Sequence, residues 1–197
     1  MHAIEASPAV FTRLQRNLAA NGTANVTAHN LAVADRCRHM TVYLHDARNL
    51  GGTTVVASEA ALLPTSREQM VEGRPLADIV PQPDLRRARV IKIDVEGAEW
   101  LVLRGMRDVL PKLAPDAEVL VEVNVRALRS FGASLRDLLE LFAEAGFAPF
   151  EVRNGYDARH YLEPPAAPVP LCRELEFGDL LFRRNDQPAR TWETRRQ

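Results

Sequence analysis

The segment at residues 90–99, of sequence VIKIDVEGAE, restricts the fold more than any other part of the chain. Its β-branched first half favours a buried strand, and Gly97 provides a turn. Apolar residues then recur at helical spacing through Trp100, Leu103, Met106, Val109 and Leu110. A buried strand that leads directly into an amphipathic helix is typical of α/β proteins, so the rest of the chain should supply matching strands and helices.

The rest of the chain does alternate between the two patterns. Helix signals begin at Ser7-Pro8 and at Ser134, where Asp137 completes a capping box, and they end at Asn21-Gly22 and Gly146. Strand patterns occupy residues 1–6, 25–34, 39–45, 118–123, 147–153 and 179–183. This order predicts an α/β domain over residues 1–183, with a mostly parallel sheet and helices on both faces. Residues 46–89 are expected to form an insertion of loops and short strands, and the polar residues 184–197 a disordered tail.

Composition excludes several classes of protein. A net charge of −1 and a pI near 6.5 argue against a basic surface that coats nucleic acid. No apolar run is long enough to span a bilayer, and the N-terminus has no signal-peptide pattern, so a cytoplasmic protein without nucleic-acid or membrane partners is expected.

Cys37 and Cys172 are expected to be free thiols. No zinc spacing, Walker loop or nucleophile elbow is present, so we expect no metal site; the oligomeric state cannot be read from the sequence. Arginine supplies 23 of the 25 basic residues, which we interpret as a codon bias.

Acidic residues stand at or just past the ends of predicted strands, where ligands bind in open α/β sheets. Glu5 could accept hydrogen bonds from a ribose diol, or it could be a carboxylate stabilised by the helix that follows. Asp35 could accept from the exocyclic amine of a purine, with Ala34 supplying backbone groups, or it could form an Asx turn. Glu122 could line a substrate cleft, or it could be an ordinary polar residue at a strand end.

Three acids, Asp94, Glu96 and Glu99, crowd into six residues and repel each other, which a purely structural turn would not need. For Asp94 and Glu96 we favour a function: a general base, a metal ligand or a polar group near a cationic cofactor. For Glu99 we favour a first-turn helix acid. Lys92 is expected to bury its stem or to pair with an acid.

The stretch Ile91–Glu99, followed by Val102-Leu103-Arg104-Gly105, resembles the signature of the FkbM-type S-adenosylmethionine-dependent methyltransferases. Supporting similarities lie at residues 4–8, Leu14, Asn17, Asn21, 25–26, 31–35, 49–53, 121–123 and 145–147. The resemblance covers residues 1–183, and the Lys-Ile-Asp-Val-Glu-Gly stretch is its most specific part.

The resemblance implies a Rossmann-like class I methyltransferase fold that uses S-adenosyl-L-methionine. It implies transfer of a methyl group to a hydroxyl oxygen of a small-molecule acceptor such as a sugar or a natural product. Glu5 would hold the ribose hydroxyls, and Ala34 and Asp35 would lie at the adenine. Asp94 would lie near the methionine part of the cofactor and near the acceptor, which it could orient or deprotonate, with Glu96 at the same rim.

The chain departs from this family at its beginning. Met1 starts directly on the strand that carries Glu5, so the family's first strand and glycine-rich loop are missing, and Gly51-Gly52 comes too late to replace them. We expect a start codon placed too late or a fragment of a decayed gene, rather than a gap filled by another chain. Two other functions stay open: an inactive α/β remnant or interaction module, and a nicotinamide-dependent oxidoreductase, which the lack of Gly-x-Gly-x-x-Gly disfavours.

Overall fold

The computed structural model describes residues 1–44, 54–55, 67–153, 162 and 166–184. The chain divides into two compact units. The first comprises Met1–Leu85 and Val95–Val109, and the second comprises Arg86–Asp94 and Leu110–Gln197. The predicted Asn-Gly loop at 49–53 and the tail beyond Arg184 lie outside the described residues.

The first unit opens with a small parallel sheet and a helix. Strand β1 (His2–Ile4) pairs with β2 (Thr27–His29), and helix α1 (Pro8–Ala20) connects them. The Ser7 hydroxyl accepts a hydrogen bond from the Val10 amide, which confirms the predicted N-cap. Gly22 follows the helix with φ of 62°, a conformation that glycine adopts without strain. The β1–α1–β2 order brings Glu5 to the carboxyl end of a parallel strand.

A second, three-stranded sheet completes the first unit. Its strands are β3 (Ala32–Val33), β4 (Arg38–Leu44) and β5 (Arg67–Arg74), in the order β3-β5-β4. Short helices α2 (Leu76–Ile79) and α3 (Gln82–Arg86) follow, and α4 (Glu99–Met106) packs against α2 and β3. The strand predicted over residues 25–34 is therefore two strands, β2 and β3, that belong to different sheets.

The second unit is built on a mixed five-stranded sheet. Its strands are β6 (Val90–Ile93), β7 (Glu118–Asn124), β8 (Phe147–Val152), β9 (Val169–Pro170) and β10 (Phe177–Arg184), in the order β6-β7-β10-β8-β9. Only the β6–β7 pair is parallel, because β10 enters antiparallel between β7 and β8. The predicted mostly parallel sheet is wrong: the described chain is α/β with several sheets of mixed direction.

Helices cover this sheet and bury its core. A 3₁₀ turn (Leu110–Lys112), α5 (Val125–Ser130) and α6 (Leu135–Glu144) belong to the second unit. The capping box of Ser134 and Asp137 is confirmed, with the two side chains satisfying each other's backbone amides. The Phe142 ring stacks on Phe182 with centroids 3.6 Å apart and meets Phe147 edge-on. All three rings are fully buried, so they anchor α6 to the sheet.

Arg184, the last residue of β10, contacts the ends of two helical segments of this unit. Its Nη1 donates to the Ala145 carbonyl at 2.5 Å, and its Nη2 lies 3.1–3.3 Å from the carbonyls of Leu110, Pro111 and Leu113. Its guanidinium carbon lies 4.5 Å from the centre of the Phe147 ring. One side chain thus bonds to carbonyls at the ends of two helical segments, of which the Leu110 carbonyl also accepts from the Leu113 amide. β10 therefore extends one residue into the segment predicted to be a tail.

Among the described strands, β1 and β6 are edge strands of their sheets. β1 pairs only with β2, and β6 pairs only with β7. Each strand therefore has one edge whose backbone groups face no other described strand. None of the described helices is long and apolar enough to cross a membrane.

Candidate functional site

Glu5 stands directly after β1, where the chain turns into α1. Its Oε1 accepts a hydrogen bond of 2.7 Å from the Ser7 amide, while its other oxygen has no hydrogen-bond partner among the described residues. Burial raises the pKa of the Glu5 carboxyl above its usual value of 4.5, although the Ser7 amide acts in the opposite direction. The side chain is thus fixed through one oxygen and can accept a donor at the other.

The neighbouring strand end holds the backbone around Glu5. The Glu5 amide donates to the His29 carbonyl at 3.0 Å. The Asn30 side-chain amide donates to the carbonyls of Glu5 and Ala6, at 2.9 and 3.1 Å. These bonds tie the ends of β1 and β2 together, so the Glu5 carboxylate starts from a well-defined backbone position.

Asp35 lies just past β3, between two arginines. Its Oδ2 is 3.4 Å from Arg104 Nη2, and its Oδ1 is 3.6 Å from Arg38 Nη2. The Asp35 side chain is only 10% exposed, and Oδ1 is buried without a hydrogen bond from any described residue. Ala34 is fully buried, and its amide donates to the Arg74 carbonyl at 2.9 Å. One oxygen of the carboxylate therefore has no hydrogen-bond donor. Rotation about χ2 exchanges the two oxygens, so either of them can occupy this position.

Asp94 follows β6 in the second unit and is held by Lys92. Lys92 Nζ donates to Asp94 Oδ2 at 2.6 Å, and the Asp94 side chain remains 35% exposed. That hydrogen bond raises the pKa of Lys92 above 10.5. The charges of Asp94, Asp179 and Glu122 raise it further, against partial burial. Of the two alternatives given for Lys92, the structure shows the pairing with an acid.

The carboxylates around Lys92 share one face of the sheet. In the antiparallel β7–β10 pair, Glu122 lies directly opposite Asp179, and β6 runs parallel to β7 on its other side. Like charges directly across a ladder destabilise a sheet, so the nearby ammonium group of Lys92 offsets part of that repulsion. The result is a polar, predominantly acidic end of the strands in this unit.

Glu99 has a role that sequence reasoning missed. It is 1% exposed, and its Oε1 accepts from the amides of Gly97 and Val95, at 3.1 and 3.3 Å. These bonds close the turn in which Glu96 and Gly97 have φ of 49° and 98°. A non-glycine residue rarely adopts such a φ, so a buried carboxylate stabilises an otherwise costly turn. Glu99 stands in the first turn of α4, as predicted, but the sequence did not show that its buried carboxylate also closes the preceding turn.

The predicted site residues divide between the units. Glu5, Ala34, Asp35 and Glu96 lie in the first unit, whereas Asp94 lies in the second. Within the first unit, helix α4 meets the predicted adenine-binding pair directly, through Arg104 and the close approach of Gly105 to Ala34. Asn124, next to the predicted cleft residue Glu122, instead caps α5 by accepting from the amides of Arg126 and Ala127.

Cys37 and Cys172 are both exposed free thiols, as predicted. Within the described ranges, no three His, Cys, Asp or Glu side chains are grouped so that they could hold a metal ion.

Comparison with known proteins identifies the family. The profile of the methyltransferase FkbM domain matches residues 1–149, which is well over half of the chain. The chain belongs to the FkbM methyltransferase family. The resemblance drawn from the residue 91–99 signature is thereby confirmed, and the matched segment of this FkbM domain contains Glu5, Ala34, Asp35, Asp94 and Glu96.

One curated relative of the FkbM domain is Methyltransferase 1 of Beauveria bassiana (strain ARSEF 2860). It is 31% identical over 123 residues, covering 54% of this chain and 48% of the relative. The chain therefore matches about half the length of that curated relative. No solved structure is significantly similar to this FkbM domain.

Proposed function

We propose that this FkbM domain binds S-adenosyl-L-methionine and methylates a hydroxyl oxygen of a small molecule, a sugar or a natural product, on a Rossmann-like class I fold. Membership of the family supports methyl transfer. The observation that carries the cofactor assignment is Glu5, a carboxylate at the end of a parallel strand with one oxygen fixed by Ser7 and the other open. Carboxylates at this place in nucleotide-binding α/β folds accept ribose hydroxyls.

The described residues fit the nucleoside part of this cofactor. Glu5 would accept the ribose hydroxyls, and Asp35, whose Oδ1 lacks a donor, would accept the exocyclic amine of adenine beside Ala34. A buried acceptor without a donor costs free energy, so a ligand that supplies the donor gains affinity. When bound, S-adenosyl-L-methionine supplies an electrophilic methyl group on a sulfonium centre.

Asp94 is proposed to serve the acceptor. Lys92 holds its Oδ2, and among the described residues Oδ1 has no hydrogen-bond partner, so Oδ1 can accept the hydroxyl proton of an acceptor. Glu96, on the exposed turn that follows, is proposed to line the same rim. Alignment of the acceptor with the methyl group supplies the larger part of the rate enhancement, and proton acceptance by Asp94 adds to it.

Calorimetric titration with S-adenosylhomocysteine tests the cofactor assignment. We expect Glu5→Gln to bind this product about 10- to 100-fold more weakly than the wild type, because hydrogen bonds to a charged group are lost. Glu72→Gln removes an exposed glutamate that pairs with Arg74 in the same unit and should leave affinity unchanged. Equal affinity of wild type and Glu5→Gln would refute the ribose role.

A thermal shift assay tests the oxidoreductase alternative. Protection of the wild type by NAD but not by S-adenosylhomocysteine would favour it.

The pKa of Glu5 predicts how affinity depends on pH. Only the ionised carboxylate accepts from both ribose hydroxyls, so affinity should fall as pH decreases through a pKa that burial places above 4.5. Titrations carried from neutral pH downwards should show this loss in the wild type and not in Glu5→Gln. Because burial disfavours the ionised form, Glu5→Gln should also raise the Tm of the ligand-free protein at neutral pH. A wild-type affinity that rises on acidification would contradict the assignment.

A further inference from the structure

Gly105 lies inside α4, where glycine is a poor helix former and so suggests a packing requirement. A Cβ at this position would stand 2.1 Å from the Ala34 carbonyl oxygen, 3.0 Å from the Ala34 carbonyl carbon and 3.2 Å from the Asp35 Cα. All three are backbone atoms, so no side-chain rotation could relieve the overlap. The glycine allows the backbone of α4 to lie directly against the chain at Ala34 and Asp35.

The residue before this glycine holds the Asp35 carboxylate. Arg104 approaches Oδ2 at 3.4 Å, while Arg38, the first residue of β4, approaches Oδ1 at 3.6 Å. Both distances exceed the 2.7–2.9 Å of a charge-assisted hydrogen bond. The arginines therefore hold the carboxylate mainly by charge and leave its buried Oδ1 without a hydrogen bond.

Strand β3 itself constrains Asp35 only weakly. β3 pairs with β5 at two positions, Ala32 with Gly73 and Val33 with Arg74, and the Ala34 amide makes the last ladder bond. Asp35 comes immediately after that bond. The placement of its carboxylate therefore depends on what packs against it, and the backbone of α4 at Gly105 lies directly against this segment.

We propose that Gly105 and Arg104 are positioning residues that set Asp35 for recognition of the exocyclic amine of adenine. Gly105 sets the distance between α4 and the end of β3, and Arg104 fixes the carboxylate from the same helix. This inference rests on the proposed function, because it assumes that an adenine nucleoside binds at Asp35.

The test compares S-adenosylhomocysteine with S-inosylhomocysteine, which has a carbonyl oxygen in place of the amine. By calorimetry the wild type should prefer the adenosyl compound by about tenfold or more, because the carboxylate loses its donor and meets an acceptor. Arg104→Ala and Gly105→Ala should reduce this preference towards one. Arg104→Lys should restore part of it, and Arg16→Ala, an exposed arginine on α1, should leave it unchanged.

The outcomes distinguish failure of this inference from failure of the proposed function. If both compounds lose affinity in the two variants while their ratio stays at the wild-type value, the residues are merely structural and the inference is overturned. A wild type that binds both compounds equally also overturns it, but leaves binding of the methyl donor intact. A wild type that binds neither compound overturns the proposed function and the inference together.

Hydrogen exchange provides a readout that needs no ligand. In the ligand-free Gly105→Ala protein, the amides of residues 31–38 should exchange faster than in the wild type, while those of β7 should not change. Unchanged exchange at residues 31–38 would overturn the role of Gly105. If Gly105→Ala does not fold, the ratio measured in Arg104→Ala and Arg104→Lys still decides the proposal.

Discussion

Replacing Asp94 by asparagine is expected to lower turnover by about 10²- to 10⁴-fold, the contribution of a positioned general base. Asparagine keeps the size of the side chain and can still accept a hydrogen bond from Lys92, but it cannot take the hydroxyl proton of the acceptor. Affinity for S-adenosylhomocysteine should fall far less than turnover. Transfer of a labelled methyl group to a panel of neutral sugars and hydroxylated polyketides provides the measurement.

The matched control for this variant is Asp116→Asn. Asp116 is also an ion-paired aspartate of the second unit: its Oδ2 lies 2.9 Å from the Nε of Arg89, which precedes β6, whereas Asp94 follows that strand. Loss of that pair should leave turnover near the wild-type level. If Asp94→Asn retained wild-type turnover, Asp94 could not be the proton acceptor, and Glu96→Gln would be the next variant to measure.

Replacing Glu99 by alanine should lower the free energy of unfolding by about 2–4 kcal/mol, among the larger effects of a single substitution. The amides of Val95 and Gly97 would lose their common acceptor inside the protein, and Glu96 would lose the support for its left-handed backbone. Urea denaturation followed by circular dichroism measures the change.

Two further variants make the Glu99 result specific. Glu99→Gln keeps an acceptor oxygen and nearly the same volume, so it should lose much less stability than Glu99→Ala. Glu140→Ala removes an exposed glutamate from α6 and should change the free energy of unfolding by no more than about 0.5 kcal/mol. Equal stability of Glu99→Ala and Glu99→Gln would show that the two amide bonds do not stabilise the turn.

Helix ends could be predicted because the groups that form them are close together in the chain. The Ser7 cap, the Gly22 turn and the Ser134–Asp137 capping box each involve residues a few positions apart, and the structure has all three. The division of residues 25–34 into two strands, β2 and β3, could not be predicted in the same way. Asn30 separates the two strands within residues 25–34, and its side chain bonds to the carbonyls of Glu5 and Ala6, 25 and 24 residues away.

Strand direction and side-chain burial depend on contacts that are distant in sequence. β10 enters between β7 and β8, so the order of the sheet differs from the order of the chain, and the prediction of parallel strands failed there. The surroundings of Asp35 depend on Arg104, which is 69 positions later in the chain. The position of Glu99 in the first turn of α4 was correctly predicted, but the sequence did not show that its carboxylate would be buried.

Arg184 has a consequence for how this sequence can drift. A bias that places arginine at 23 of 25 basic positions leaves most of those positions exchangeable with lysine, since many basic side chains need only a charge. Arg184 is different, because its planar guanidinium reaches the carbonyls of Ala145, Leu110, Pro111 and Leu113 while lying over the Phe147 ring. A lineage whose genome shifted towards lysine codons would replace exposed arginines that need only a charge and retain this one.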